Sequence, residues 1–193
     1  MASTDFNISK FKGALKDGGA RPSLFKFTVT GAPVTITKME YFCQVSALPP
    51  LTVTPIEKMY YGRTVKIPGD IVFGDLTTTI YQTEDGNERF NLESWMDKIN
   101  GHVDNVSSLE TSTANFMGKY SGKGTLTQYP KSGSLAAKIL STVEFIDMWP
   151  QSVTEIPLSY DTASDIETFD VTWAYNYYTT TGGTVNTTHA IQG

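Results

Sequence analysis

The stretch that decides the fold is Ile166-Glu167-Thr168-Phe169-Asp170-Val171-Thr172-Trp173-Ala174-Tyr175-Asn176-Tyr177-Tyr178. Phe169, Val171, Trp173, Tyr175 and Tyr177 alternate with Thr168, Asp170, Thr172, Ala174 and Asn176. A period of two sends the sets to opposite faces of an extended chain, one to a core and the other to water or a polar channel. Aromatic and β-branched side chains fit such a pleated, half-buried surface. The pattern predicts one strand over 166–178, with Phe169 and Trp173 in the core.

Working outward, the same period recurs in short runs. Phe25, Phe27 and Val29 alternate with Lys26, Thr28 and Thr30, and Met39, Tyr41, Cys43 and Val45 form a second alternation stopped by Pro49-Pro50. Leu76, Thr78 and Ile80 mark another strand, and two more are expected at 124–129 and 138–146. One segment changes period. Leu92, Trp95, Met96 and Ile99 fall at i, i+3, i+4 and i+7, the stripe of a helix packed under a sheet, which places Trp95 in the core. Asp85 and Glu88 have capping-box spacing at its start, and Asn100-Gly101 predicts a left-handed stop. Many short strands with one helix over about 86–100 define a mainly β chain, an antiparallel sandwich or barrel.

Three segments lie outside this pattern. Residues 1–19 read as an arm whose Asn7 caps a short helix carrying Ile8, Phe11 and Leu15, ended by Asp17-Gly18-Gly19. Residues 51–69 form a long protruding loop, with a short strand pair near 56–59 and 64–67. Its Ile56, Met59, Tyr60, Tyr61, Val65 and Ile67 are too apolar for disorder and too exposed for a monomer, which points to a partner surface. Residues 102–123 read as a polar loop, and 179–193 as an extension that is mobile or ordered by contact. No repeat or internal domain boundary is visible, so 20–178 is one domain.

Composition narrows the function. At 193 residues the chain is long enough to bury a core. Net charge is −5 and no two Lys or Arg are adjacent, which argues against a phosphate-gripping binder. No run of about 20 apolar residues offers a membrane span. The single cysteine, Cys43, and the lack of an apolar signal core at the N-terminus suit a cytoplasm-like site of synthesis. The sequons at Asn7, Asn105 and Asn186 then carry no meaning. Catalytic patterns fail in turn. Gly122-Lys123-Gly124 lacks a third glycine at Thr127, 118–123 has the wrong spacing for a phosphate loop, and no nucleophile elbow occurs. His102 and His189 lack metal-ligand neighbours, and the carboxylate pairs Glu84-Asp85 and Asp165/Glu167 sit in no pocket pattern. No cofactor, metal or catalytic residue is assigned. A soluble sugar-binding module draws support only from an aromatic content of 12%, and those aromatics alternate as core.

Five motifs in order resemble one family. They are Ala20-Arg21-Pro22-Ser23-Leu24-Phe25; Cys43-Gln44-Val45-Ser46-Ala47-Leu48-Pro49; Gly62-Arg63 with Ile67-Pro68-Gly69-Asp70 and Phe73; Trp149-Pro150; and Ile166-Glu167-Thr168-Phe169-Asp170-Val171-Thr172. From Ala20 to Tyr178 the chain resembles the tail-tube proteins of contractile-tailed bacteriophages. The turn after Val29 is longer than that family's, and 179–193 runs past its usual end. The resemblance implies a structural, non-enzymatic subunit of the virion tail, assembled in the host cytoplasm. Hexameric rings stack into a tube through which genomic DNA is ejected. Implied partners are further copies, the sheath, baseplate and tail terminator proteins, and, in the lumen, the tape measure protein and DNA without sequence specificity. A baseplate tube-initiator is the nearest alternative. On this reading Tyr61, Arg63, Lys66 and Asp70 are candidates for the contact between rings, with Arg63 and Lys66 meeting carboxylates. Thr77, Thr79, Asp170, Thr172 and Asn176 are candidates for the lumen wall.

Overall fold

The computed structural model describes residues 7–15, 19–103, 107, 120–131, 139–161 and 165–182. Among these residues two short helices, α1 (Ile8–Ala14) and α2 (Met39–Phe42), and one long helix, α3 (Asn87–Ile99), accompany nine strands. These are β1 (Phe25–Thr30), β2 (Cys43–Val45), β3 (Leu51–Tyr60), β4 (Arg63–Phe73), β5 (Leu76–Tyr81), β6 (Gly122–Gln128), β7 (Ser141–Val153), β8 (Thr168–Ala174) and β9 (Tyr177–Gly182). The body is a seven-stranded antiparallel sheet in the order β1-β6-β7-β8-β5-β2, with β9 also on β7. The hairpin β3-β4 forms a separate two-stranded sheet.

The seven-stranded sheet folds over on β7. Ser141–Ile146 pair with β6 on one side and β9 on the other, whereas Trp149–Val153 pair with β8. Between the halves Asp147 takes φ 55° at a break in register with β6, an uncommon conformation that turns the strand. The stretch 166–178 turns at the same corner, so it is two strands and not the single one its alternation predicts. β8 ends at Ala174 and β9 starts at Tyr177. Between them Asn176 donates its backbone N–H to the Ile146 carbonyl at 3.1 Å and its Nδ2 to Asp147 Oδ2 at 2.9 Å. A corner is invisible to periodicity, because the inward aromatics continue through it. Tyr175 still packs on the core, and Tyr177 is 41% exposed.

The core lies inside this fold. Phe27, Phe145, Val171, Trp173, Trp95, Leu92 and Ile80 are fully buried, and Phe169 almost so. α3 delivers Trp95 to 6.0 Å from the Trp173 ring, and Phe27 meets Trp173 at 6.1 Å. Both indole N–H groups are satisfied, Trp95 by the Tyr120 carbonyl at 2.7 Å and Trp173 by buried Thr78 Oγ1 at 2.9 Å. These bonds remove the cost of burying three polar groups. Arg89, over the Phe169 ring, donates to the Thr154 carbonyl at 2.6 Å, and Lys98 donates to the Pro33 carbonyl at 2.9 Å. Both ends of α3 are thereby tied to neighbouring loops.

Four local expectations change. Residues 39–42 are a helical turn, because Lys38 enters it at φ 72° and turns Met39 into the core while Tyr41 is 75% exposed. Glu40 pairs with Lys26 of β1, a contact that raises the lysine pKa and lowers that of the carboxylate. α3 starts behind left-handed Gly86, and Glu88 takes its hydrogen bonds from the Thr83 N–H and hydroxyl, so Asp85 plays no part in a capping box. Its C-cap Asn100 is extended at φ −149°, not left-handed. Beyond Tyr178 the chain continues as β9 through Gly182. The Asn7 cap on α1 forms, accepting from Ser9 N–H at 2.9 Å. The expected strand start at Lys138, most of the 102–123 loop, Asp17-Gly18 and residues 183–193 lie outside the described residues.

Candidate assembly surfaces

The 51–69 segment belongs to one continuous hairpin, β3-β4, reaching Phe73. Its turn is Tyr61-Gly62, both at positive φ (45° and 76°), the pattern of a type I′ turn whose twist suits a hairpin. A tyrosine in that conformation costs on the order of 1–2 kcal/mol that glycine would not. Tyr61 is 90% exposed and stacks edge-on with Tyr60 at 4.7 Å.

Halfway along, the register slips between Val53 and Pro55, where Pro55 faces Pro68. A Cβ on Gly69 would lie 2.5 Å from the Thr54 carbonyl oxygen, so only glycine fits this bulge. At the root, Phe73 joins Tyr178 at 5.4 Å and Tyr175 at 6.5 Å. The Tyr175 hydroxyl donates to the Gly74 carbonyl. Burial pushes that phenol up to about 12.

Beyond the root nothing among the described residues covers the hairpin. Every residue of β3 is exposed, as is most of β4. Cross-strand pairing sorts the tip into two faces. Ile56, Lys58 and Tyr60 stand opposite Ile67, Val65 and Arg63; Glu57 and Met59 stand opposite Lys66 and Thr64. Lys66 meets Glu57 within the hairpin at 3.3 Å. Arg63 and Lys58, on the other face, make no ion pair among the described residues. Asp70 lies in the outer edge of the bulge.

The polar candidates on β5 and β8 come together. Thr77 pairs with Thr172 and Thr79 with Asp170, on the face opposite Leu76, Thr78 and Ile80. Thr79 Oγ1 donates to Asp170 Oδ1 at 2.6 Å, and Ser152 of β7 extends the row beside Thr172. No Lys or Arg occurs in 76–81 or 168–174. Asn176 stands apart, held by Asp147 at the corner. The carboxylate pair Asp165/Glu167, which the sequence places in no pocket pattern, lines an open cleft of about 420 Å³ with Pro157, Leu158, Ser159 and Tyr160. Cys43 is half-buried with its thiol pushed to about 12 by burial. Among the described residues no group of three or more His, Cys, Asp or Glu is placed to hold a metal, and no helix is long and apolar enough to cross a membrane.

A body with its own core, carrying an apolar hairpin that is exposed among the described residues, has the profile of an assembly subunit. Comparison with known proteins gives the class: residues 6–181 match the phage tail tube protein family, and the chain belongs to it. Tail tube protein gp19 of Enterobacteria phage T4 is 26% identical over 159 residues, 82% of this chain and 90% of that protein. Its counterpart in Enterobacteria phage T6 is 27% identical over the same span. Among solved structures, a chain of the PVC sheath–tube complex, an extracellular contractile injection system, superposes with TM-score 0.60 at 15% identity, covering 89% of this chain and 97% of that one. The tube-terminating cap of the anti-feeding prophage gives 0.61 at 14% identity, covering 95% and 100%. At these identities the structural likeness shows the fold alone. The chain is a tail tube protein, a structural part of the phage tail.

Proposed function

We propose that this subunit closes into hexameric rings that stack head to tail into the inner tube of a contractile tail, through which the DNA genome passes. The observation that carries the reading is the hairpin: about 20 residues of paired strand, apolar at Val53, Ile56, Val65, Ile67 and Ile71, exposed on both faces. A two-stranded ribbon is marginal by itself in water and needs cover. An adjacent ring supplies that cover, with Tyr61, Arg63, Lys66 and Asp70 at or near the junction. The sheath surrounds the tube, baseplate and terminator proteins bound its ends, and tape measure protein and DNA occupy its lumen.

The Thr77/Thr172 and Thr79/Asp170 face supports a lumen wall. Each lysine or arginine against a phosphate adds salt-dependent affinity, and a repeated ring multiplies it. A face of hydroxyls and one pinned carboxylate holds water and grips nothing. Electron microscopy of the concentrated protein tests the assembly, which dispersed monomers would contradict. Titration of short duplex DNA onto the tubes at physiological salt tests the lumen: weak binding is expected, and tight binding would count against a slippery wall.

A further inference from the structure

The hairpin and the Asp165/Glu167 cleft lie at opposite ends of the same strands. β5 leaves the hairpin root at Leu76 and ends at Tyr81; antiparallel to it, β8 begins at Thr168 opposite Tyr81 and reaches Trp173 opposite Leu76. The Gln82 N–H donates to the Glu167 carbonyl at 2.9 Å, which fixes the cleft beyond the Tyr81 end. β2 leads into the hairpin through 46–50 and the hairpin leads into β5 through 74–75, so the hairpin root lies at the Leu76 end. The six residues of β5, at roughly 3.3 Å each, separate the hairpin root from the cleft. A head-to-tail stack whose axis runs along these strands would bring the hairpin of one copy toward the cleft of the next.

Their chemistry is complementary. The tip face of Ile56, Lys58, Tyr60, Arg63, Val65 and Ile67 carries Lys58 and Arg63, which make no ion pair among the described residues, while Lys66 on the other face pairs with Glu57. The open cleft is lined by exposed Pro157, Leu158 and Tyr160 together with the carboxylates Asp165 and Glu167. The segment 154–167 adds Glu155 and Asp161 and contains no Lys or Arg. Resting on the tube reading above, we propose that the hairpin tip of one copy seats in the cleft lined by Pro157, Leu158, Tyr160, Asp165 and Glu167 of a second copy in the next ring. Lys58 and Arg63 oppose Asp165 and Glu167, and the Tyr60–Tyr61 pair packs on Leu158.

A charge swap tests this, because all the residues changed are at the surface and outside the core. Arg63→Glu alone and Glu167→Arg alone are expected to shorten tubes at least tenfold in electron micrographs while rings and melting temperature stay as in the parent. Arg63→Glu with Glu167→Arg is expected to restore tube length. In a Cys43→Ala background, Tyr61→Cys with Leu158→Cys is expected to give intermolecular disulfides that run as ladders on non-reducing gels. Tubes of full length from both single variants, or stacked tubes in which this cysteine pair never cross-links, overturn the cleft as the receiving site and leave the tube reading standing. A parent protein that forms neither rings nor tubes overturns both.

Discussion

The body and the hairpin spend aromatic residues in opposite ways. In the body, Trp95 and Trp173 are fully buried, in ring contact with each other, and each indole N–H has a partner. In the hairpin, Tyr60 and Tyr61 touch mainly each other, and Tyr61 holds a backbone conformation that disfavours its side chain. The first arrangement stabilises a monomer. The second only costs a monomer free energy and becomes favourable when another surface covers it. Stability of the body and competence of the hairpin are therefore separable by mutation.

The largest effect is expected at the centre of the body. Trp173→Ala removes the ring shared by Phe27 and Trp95 and leaves the buried Thr78 hydroxyl without its donor. The cost is on the order of 3–5 kcal/mol, and Trp95→Ala falls in the same range. Denaturant unfolding followed by circular dichroism measures both. An unchanged midpoint in either variant would show that the contact between α3 and β8 is not the keystone of the core.

Gly69 separates the regions more sharply. A Cβ there meets the Thr54 carbonyl oxygen at 2.5 Å and the Ile56 side chain at 2.9 Å, so Gly69→Ala forces the bulge open. The strain is on the order of 1–3 kcal/mol and is confined to the hairpin. Amide exchange should accelerate over 56–67 while the amides of β5 and β8 keep their protection, and tube growth should fall. Equal loss of protection in β8 would show that hairpin and body unfold together.

The contrast also marks what was legible in the sequence. Regular packing was legible: the alternation of β1, β5 and β8 and the stripe of α3 report burial directly, so sandwich or barrel class and the core tryptophans follow from period alone. The Met39–Val45 alternation misled because a four-residue helical turn buries Met39 and half-buries Cys43 without breaking the pattern. The corner at 175–176 was hidden because a strand that changes partners keeps its period. The hairpin was legible as apolar excess without a partner, but its full length to Phe73 was not, since Pro55, Pro68 and Gly69 read as breaks and are instead one bulge. The Asp165/Glu167 pair was visible in the sequence, but the cleft it lines was not. Loops bring its residues together, and loops have no period. The uncovered charge on 154–167, four carboxylates without a cation, was the available clue.

The joint between the regions carries a smaller effect with a pH signature. Tyr175→Phe keeps the ring packing on Phe145 and Phe73 but deletes the bond to the Gly74 carbonyl, at about 0.5–1.5 kcal/mol. The folded phenol is raised to about 12 from 10.0, chiefly by burial. The unfolded chain therefore ionises first: the contribution of Tyr175 is complete below pH 10 and is lost as pH rises toward 12. Urea midpoints of parent and variant should differ at pH 8 and converge between pH 10 and 12. A gap that stays constant to pH 12 would mean that the hydroxyl at the hairpin root is not held in its neutral form.

The smallest effect is expected at Lys66, and there the two faces of the tip can be told apart. Lys66 and Arg63 are three residues apart and both basic, and sequence alone sends both to carboxylates across the junction between rings. The fold separates them: Lys66 pairs at 3.3 Å with Glu57 across its own hairpin, both side chains more than half exposed, and Arg63 stands opposite Tyr60 on the other face. An exposed pair of this kind contributes at most about 1 kcal/mol and is screened by salt. Lys66→Gln should lower the melting temperature within measurement error and leave tube length nearly unchanged. Arg63→Gln should shorten tubes without touching the melting temperature, because in the proposed seating its carboxylate partner belongs to another copy. Tube length measured for both variants at low salt and again at 0.5 M salt reads the difference. If Lys66→Gln shortens tubes as much as Arg63→Gln, both faces of the tip are gripped, and the hairpin is inserted between two surfaces instead of laid on one.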